Sequence, residues 1–393
     1  MKKSNFLCVI DYGSSLLRLG VFDEKFNCLH SSSKNIIEKN NHDEYLKSIN
    51  LLVRAAEKKI SNHLENVFIL YDDSEILSVD LSIKKNFDQK VLIKDVYSSI
   101  IEECNQLIKN NYINKKIIHI IITRHVFDGR EITENLKNDL SVKSIIIEIK
   151  FIFLPIEKYT EITNVFKKNN LEISNFFCSS YVKSFSYINS LSDYNYVTFI
   201  DIGWERSTLT SFYNKKLICI NSIPVGGNHF TKDISKIFKI DLQESESIKK
   251  LFNKSELEFS YDKNINNKNE KFLKEIINKN ISVDLLKKVI LSRIEEIIEL
   301  VFKNFHYSEK VNNFSNSILV LTGNGSKLFD KNTFYMNDEY NFKEIIFYEE
   351  KDIEICLTGL KFDINSHDSD LKEVQKSLKK IGIFEKFFNF FGR

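Results

Sequence analysis

Three turns, each closing an apolar run, hold the residues of this chain best suited to chemistry. They are Asp11-Tyr-Gly13-Ser14-Ser15 after residues 6–10, Asp201-Ile-Gly203 after 196–200, and Gly323-Asn324-Gly325-Ser326 after 318–322. An apolar run ending in Asp-x-Gly reads as a buried strand that stops at a tight turn, where a carboxylate meets free backbone N–H groups. Such turns form anion-binding concavities, and an Asp beside one can hold a divalent cation through water. Asp11 and Asp201 stand about 190 residues apart. That spacing points to two similar lobes facing one ligand, a nucleotide.

The elements that must position these turns are legible in outline. Residues 6–22 read as two strands joined by the first turn, followed by a helix near 43–62. Residues 74–153 carry their own alternation of helix (93–109) and strands (116–123, 144–153), the pattern of an inserted subdomain. A helix at 159–169 and an extended stretch at 171–177 return to the first lobe, and the chain crosses over near Asp193. In the second lobe, a strand at 217–225 ends in Gly226-Gly227 and opens a helix. Residues 253–271 are polar and Asn- and Lys-rich, as in a surface loop. Residues 284–305 form a long amphipathic helix with Leu286, Ile290, Ile294, Ile297 and Val301 on its apolar face.

Composition narrows the classes. At 393 residues, with 42% hydrophobic and 28% charged residues, the chain is long enough for several buried cores. A net charge of +2 gives no strong whole-protein field, so no nucleic-acid partner is expected. The six cysteines show no metal-ligand spacing and read as buried, reduced thiols of a cytoplasmic protein. Neither a secretory signal nor an apolar run long enough to span a bilayer is evident.

The number, order and spacing of the three turns resemble the actin-like ATPase superfamily. The resemblance implies an α/β, actin-like (ribonuclease H-like) two-lobed fold. Its first-loop pattern D-x-G-[ST]-x-x-x-[KR] is met by Asp11, Gly13, Ser14 and Arg18. Arg18 would neutralise phosphate oxygens cradled by Ser14 and Ser15. Asp201 and Gly203 would face them, and Asp11 and Asp201 together would hold Mg2+ for a bound ATP. Gly323, Asn324, Gly325 and Ser326 would lie at the adenosine. Glu246 and Lys249 match an E-x-x-K pair on one helix face, implied to touch ribose or adenine; a plain helix ion pair is the other reading. Where the pattern has further glycines after Gly203, this chain has Trp204-Glu205-Arg206. No water-activating base is recognisable, so hydrolysis is expected to be weak or absent and no catalytic residue is assigned.

Within the superfamily the chain resembles FtsA, the bacterial cell-division actin homologue. Residues 223–234 (Ile223-Pro-Val-Gly-Gly-Asn-His-Phe-Thr-Lys-Asp-Ile234) follow its P-x-G-x-x-x-[TI]-x-D-[IV] stretch. Residues 289–297 follow its V-I-x-x-R-x-x-E-[IL] helix. The implied organisation is a first lobe at 1–74 and 153–192, an FtsA-type inserted α+β subdomain at 75–152, and a second lobe at 193–228 and 314–364. An upper subdomain follows at 229–313, then a linker at 365–378 and an amphipathic helix at 379–393. Between Leu371 and Arg393 six basic residues stand against two acidic ones. On a helix, Ile381, Phe384, Phe387, Phe388 and Phe391 share an arc, with Lys380 inside it and able to snorkel outward and Lys386 and Arg393 on the opposite side, the pattern of an interfacial anchor for an anionic membrane. Docking of this helix on the protein's own surface is the alternative.

The resemblance implies an ATP-binding protein at the cytoplasmic face of the inner membrane and the midcell division site. It would polymerise into actin-like filaments and tether FtsZ. The FtsZ C-terminal peptide would dock beside the 284–305 helix, with Arg293 a candidate contact or an ordinary surface arginine, and other divisome proteins would join. The alternatives are a PilM-like type IV pilus scaffold and a small-molecule phosphotransferase.

Overall fold

The computed structural model describes residues 6–36, 42–132, 140–254, 274–303, 316–329 and 342–365. The linker expected at 365–378, apart from its first residue, and the helix expected at 379–393, with Lys380, Ile381, Phe384, Lys386, Phe387, Phe388, Phe391 and Arg393, lie outside the described residues, as do 255–273.

The first sheet grows from β1 (Leu7–Tyr12), whose apolar run is buried from Cys8 onward. A hairpin through Gly13 turns it into β2 (Leu16–Phe22), and β3 (Cys28–Asn35) forms the edge. Helix α1 (His42–Ile60) crosses over to β4 (Asn66–Tyr71), which pairs parallel to β1. The strand β9 (Glu172–Cys178) completes the order β3-β2-β1-β4-β9. The second sheet repeats the plan. It comprises β10 (Tyr196–Ile202), β11 (Ser207–Tyr213), β12 (Lys216–Ile223), β13 (Ser317–Thr322) and β14 (Glu344–Phe347), in the order β12-β11-β10-β13-β14. In both sheets the first three strands are antiparallel and the inner crossovers parallel. The central strands read as near-continuous apolar runs because both faces are covered.

Between β4 and β9 the chain builds a third sheet, of order β5-β8-β6-β7, from β5 (Leu77–Leu92), β6 (Lys115–Phe127), β7 (Arg130–Ile132) and β8 (Ser141–Pro155). Helix α2 (Ile93–Asn111) covers one face through Ile100, Ile101 and Cys104 against Ile145, Ile147 and Phe151. Helix α3 (Ile156–Lys168) leads from β8 to β9 and packs with α1 in a core containing Ile49, Leu52 and Phe166.

Two helices lie between the main sheets. The short α4 (Ser179–Tyr187) follows β9, and α8 (Asp352–Asn365) follows β14. They share a core in which Val9 and Leu70 of the first sheet meet Phe199, Phe212 and Val320 of the second. The outer face of the second sheet carries α5 (Gly227–Phe238), α6 (Leu242–Lys254) and α7 (Val283–Lys303). The last helix of the stretch 314–364, α8, lies against β1, β2 and β4 of the first lobe. Small residues permit that approach. A Cβ on Gly20 would come within 2.9 Å of the Cys356 side chain, and one on Gly359 within 3.1 Å of Leu70.

Candidate functional site

The three turns converge where the parallel strands of both lobes end. In the first, a Cβ on Gly13 would fall 2.5 Å from the Leu16 carbonyl oxygen, so the hairpin requires glycine there. Ser14 and Ser15 use their carbonyls, accepting from the Tyr45 hydroxyl (3.4 Å) and the Ile36 N–H (2.9 Å). In the third, Gly323 has φ +78°, and a side chain there would run into Asp201 and the Ile202 backbone. That close approach sets the Gly323–Ser326 turn beside Asp201. Ser326 closes it, its hydroxyl donating to the Gly323 carbonyl at 2.7 Å.

Each aspartate has a cation. Asp11 is opposite Arg18 in the β1–β2 register, and Arg18 Nη1 lies 2.6 Å from its carboxylate. Arg18 Nε donates to Asp352 in the first turn of α8 at 2.6 Å. Burial alone would lower the Arg18 pKa, but Asp11 and Asp352 outweigh it and hold the guanidinium charged. Asp201 takes its cation from α4. Lys183 Nζ lies 2.5 Å from Asp201 and 3.2 Å from Glu350, with its side chain 8% exposed. Burial works against its charge here too, yet Asp201 and Glu350 keep its pKa well above the ordinary value. Glu350 also accepts the Gly323 N–H at 3.2 Å and the Tyr187 hydroxyl at 3.0 Å.

The start of α4 joins the two aspartates. Ser179 Oγ donates to Asp11 at 3.2 Å, and Ser180 Oγ reaches Asp201 at 3.1 Å and Asp72 at 2.5 Å. Asp72 also accepts the Ser180 N–H, and burial with the nearby Asp201 charge raises its pKa. His119, from the inserted sheet, accepts the Cys178 N–H through Nε2 at 2.9 Å and so anchors α4 from behind. Burial pushes the His119 pKa down to about 3, which keeps the ring neutral.

The second turn is closed on itself. The Gly203 N–H donates to the Arg206 carbonyl at 2.9 Å. The first N–H groups of α5 point back into the turn: Gly227 N–H to the Gly203 carbonyl (2.9 Å) and Asn228 N–H to the Trp204 carbonyl (2.7 Å). Gly226 must be small for this, since a Cβ would lie 2.7 Å from the Arg206 nitrogen. Arg206 extends to the first lobe, with its guanidinium 5.2 Å from the Tyr71 ring centre and 3.9 Å from the Asp73 carboxylate. Tyr71 packs edge-on to Tyr12 of the first turn.

Glu246 and Lys249 form an ion pair on one face of α6, with both side chains largely enclosed. Lys249 Nζ is buried among Glu246 (2.6 Å), the Gly227 carbonyl (2.9 Å) and Thr231 Oγ1 (2.8 Å), beneath the Trp204 ring at 4.6 Å. They tie α6 to α5 and to the second turn, and α6 also packs on the Asn324–Leu328 turn. Arg293, considered as a surface contact, forms a two-pronged pair with Asp233 at 2.6 and 2.8 Å and pairs with Glu296. The two sequence stretches that carry the FtsA resemblance, around 223–234 and 289–297, therefore meet in one ion-paired link between α5 and α7.

A hydrated Mg2+ between Asp11 and Asp201 does not fit this arrangement. Arg18 and Lys183 hold the oxygens such an ion's waters would use, and a divalent cation would meet two resident positive charges. Among the described residues no group of three or more His, Cys, Asp or Glu side chains is disposed to hold a metal.

Sequence reasoning reached the turns but missed Asp72, Lys183, Glu350 and Asp352. Asp72 had a signal, because it ends the apolar run of β4 as Asp11 ends that of β1. Lys183 had none. It reads as an ordinary helix lysine until α4 is known to be enclosed by both sheets.

Comparison with known proteins agrees with this frame. Residues 198–382 match the family model described as cell division protein FtsA. The cell division protein FtsA of Helicobacter pylori (strain ATCC 700392 / 26695) is 22% identical over 162 residues, 41% of this chain and 32% of that protein. The chain thus spans about a third of the length of the curated relatives it matches. Among solved structures, the PilM–PilN type IV pilus biogenesis complex superposes with a TM-score of 0.54 at 13% identity, covering 90% of each chain. MreB 5 of Spiroplasma citri bound to AMPPNP gives 0.48 at 11% identity over 95% of this chain and 99% of that one. The fold is the actin-like α/β fold, and the sequence resemblance is to FtsA.

Proposed function

We propose that the chain is a nucleotide-binding, FtsA-type scaffold of bacterial cell division. The observation that carries this reading is the FtsA match over 198–382, which contains both the Asp201 and the Gly323 turns, set against the first-lobe turn at Asp11. ATP is the proposed ligand, with phosphates at Gly13, Ser14, Ser15, Arg18 and Gly203, and adenosine toward Gly323–Ser326 and the Glu246–Lys249 pair. Turnover is proposed to be weak or absent. Asp72 and Glu350, cleft carboxylates whose pKa burial raises, are already engaged, Asp72 by the Ser180 N–H and hydroxyl and Glu350 by Lys183, Tyr187 and the Gly323 N–H, which suits positioning roles better than a general base.

In this reading the chain polymerises head to tail and recruits the FtsZ C-terminal peptide beside α7. It gathers other divisome proteins at midcell and holds to the inner membrane through 379–393. No described helix is long and apolar enough to cross a membrane, which accords with peripheral attachment. Arg293 is proposed to act by holding α5 to α7 rather than by touching the peptide directly.

The test is co-sedimentation of FtsZ with anionic vesicles in the presence of the full chain or of a chain ending at 378. The full chain should carry FtsZ to the vesicles and the shortened one should not. Equal vesicle binding by both would remove the tether. The PilM likeness keeps a second scaffold reading in play, a chain held by a membrane partner's peptide. That chain would stay in the supernatant with FtsZ while the vesicles sediment.

A further inference from the structure

We infer that Lys183 is a built-in replacement for the divalent cation of the cleft, so that ligand phosphates are met by a tethered ammonium and require no magnesium. The inference rests on the proposed nucleotide cleft, but its central observation is independent of any nucleotide.

The ammonium sits where a cation is needed most. It lies 2.5 Å from Asp201 and 3.2 Å from Glu350, and Glu350 in turn holds the Gly323 N–H. Asp72 shares the Ser180 hydroxyl with Asp201, so three carboxylates crowd around one lysine. Helix α4 supplies this lysine from a place no hairpin residue reaches, since the register partner of Asp201 is the uncharged Thr208. Across the cleft, Asp11 has Arg18. Each aspartate that would hold water around a metal instead has a fixed positive partner. An ammonium on a four-carbon stem is a compact point charge with three donors, able to contact two carboxylates and still offer a hydrogen to a phosphate. It also brings no exchangeable hydration shell, so chelators cannot remove it.

The experiment uses the full chain without nucleotide, melted in millimolar MgCl2 and in NaCl of equal ionic strength, as wild type and as Lys183→Ala. Wild type should melt at the same temperature in both salts. Lys183→Ala, which strands the carboxylates and opens space, should melt about 5 °C lower or more in NaCl. MgCl2 should restore most of that loss. A variant indifferent to MgCl2, or a wild type stabilised by it, would overturn the inference.

If Lys183→Ala does not fold, the shape-preserving pair Lys183→Met with Asp201→Asn replaces it. That pair still leaves Glu350 and Asp72 without the ammonium, so it should fold, melt below wild type in NaCl and recover part of the loss in MgCl2; a pair indifferent to MgCl2 would overturn the inference. A second arm titrates ATP onto wild type with MgCl2 or with EDTA. Affinities within about threefold support the inference, and a tenfold or greater loss in EDTA overturns it. Absence of ATP binding in both would defeat the nucleotide reading, while the melting arm still decides the role of Lys183.

Discussion

The two lobes repeat one hairpin and treat its aspartate differently. In both sheets an apolar strand ends in an aspartate, turns through a glycine and returns antiparallel. Asp11 finds its cation on its own hairpin, at Arg18, while the matching partner of Asp201 is Thr208. The second aspartate depends on α4, an element outside its lobe's sheet. The lesson is that charge compensation is local in the first lobe and borrowed in the second. The connection from β14 to α8 serves both, because Glu350 reaches Lys183 and Asp352 reaches Arg18.

Substitutions that separate the two arrangements should differ in size. Lys183→Met removes the borrowed charge from a buried cluster and should cost roughly 3–5 kcal/mol in urea unfolding. Arg18→Met should cost less, roughly 1.5–3 kcal/mol, because Asp352 is half-exposed and Asp11 keeps the Ser179 hydroxyl. Equal costs would break the contrast. Adding Asp201→Asn to Lys183→Met should recover part of the loss, since an unpaired buried charge is worse than none.

His119 sharpens the contrast through pH. It is neutral in the folded chain, with a pKa near 3 against 6.5 for an ordinary histidine. Protons therefore favour the unfolded state, so its stabilising share is present above pH 6.5 and is lost as pH falls toward 3. The expected slope is about 1 kcal/mol per pH unit below 6.5, and His119→Gln should flatten it. The smallest effect belongs to the partly exposed link between α5 and α7. A double-mutant cycle on Arg293→Lys and Asp233→Asn should give a coupling near 1 kcal/mol.

Much of the scaffold was legible in the sequence because the central strands are uninterrupted apolar runs and α1, α2 and α7 keep a helical period. Edge elements were not. The strand β3 reads Cys-Leu-His-Ser-Ser-Ser-Lys-Asn, nearly all exposed, and offers no alternation. The strand β5 alternates but is broken by Lys84-Lys85-Asn86, so its 16 residues do not stand out. The cleft divides in the same way. Turn residues announce themselves through glycine and the strand before them. Lys183, Glu350 and Asp352 act through contacts across 150 residues or more of chain, or through burial by another lobe, and leave no local trace. The ion pairs of Asp11 and Asp201 escaped the sequence for that reason: the two carboxylates read as unclaimed there, and each has a partner supplied by the fold.

Trp204 is the single tryptophan of the chain, and it occupies the second turn with the Lys249 ammonium 4.6 Å from its ring. Its emission therefore comes from one known place, next to a charge and two residues before the inter-lobe contact of Arg206. Any movement of the lobes that shifts the turn relative to α6 would be read out as a change in native fluorescence, with no dye attached.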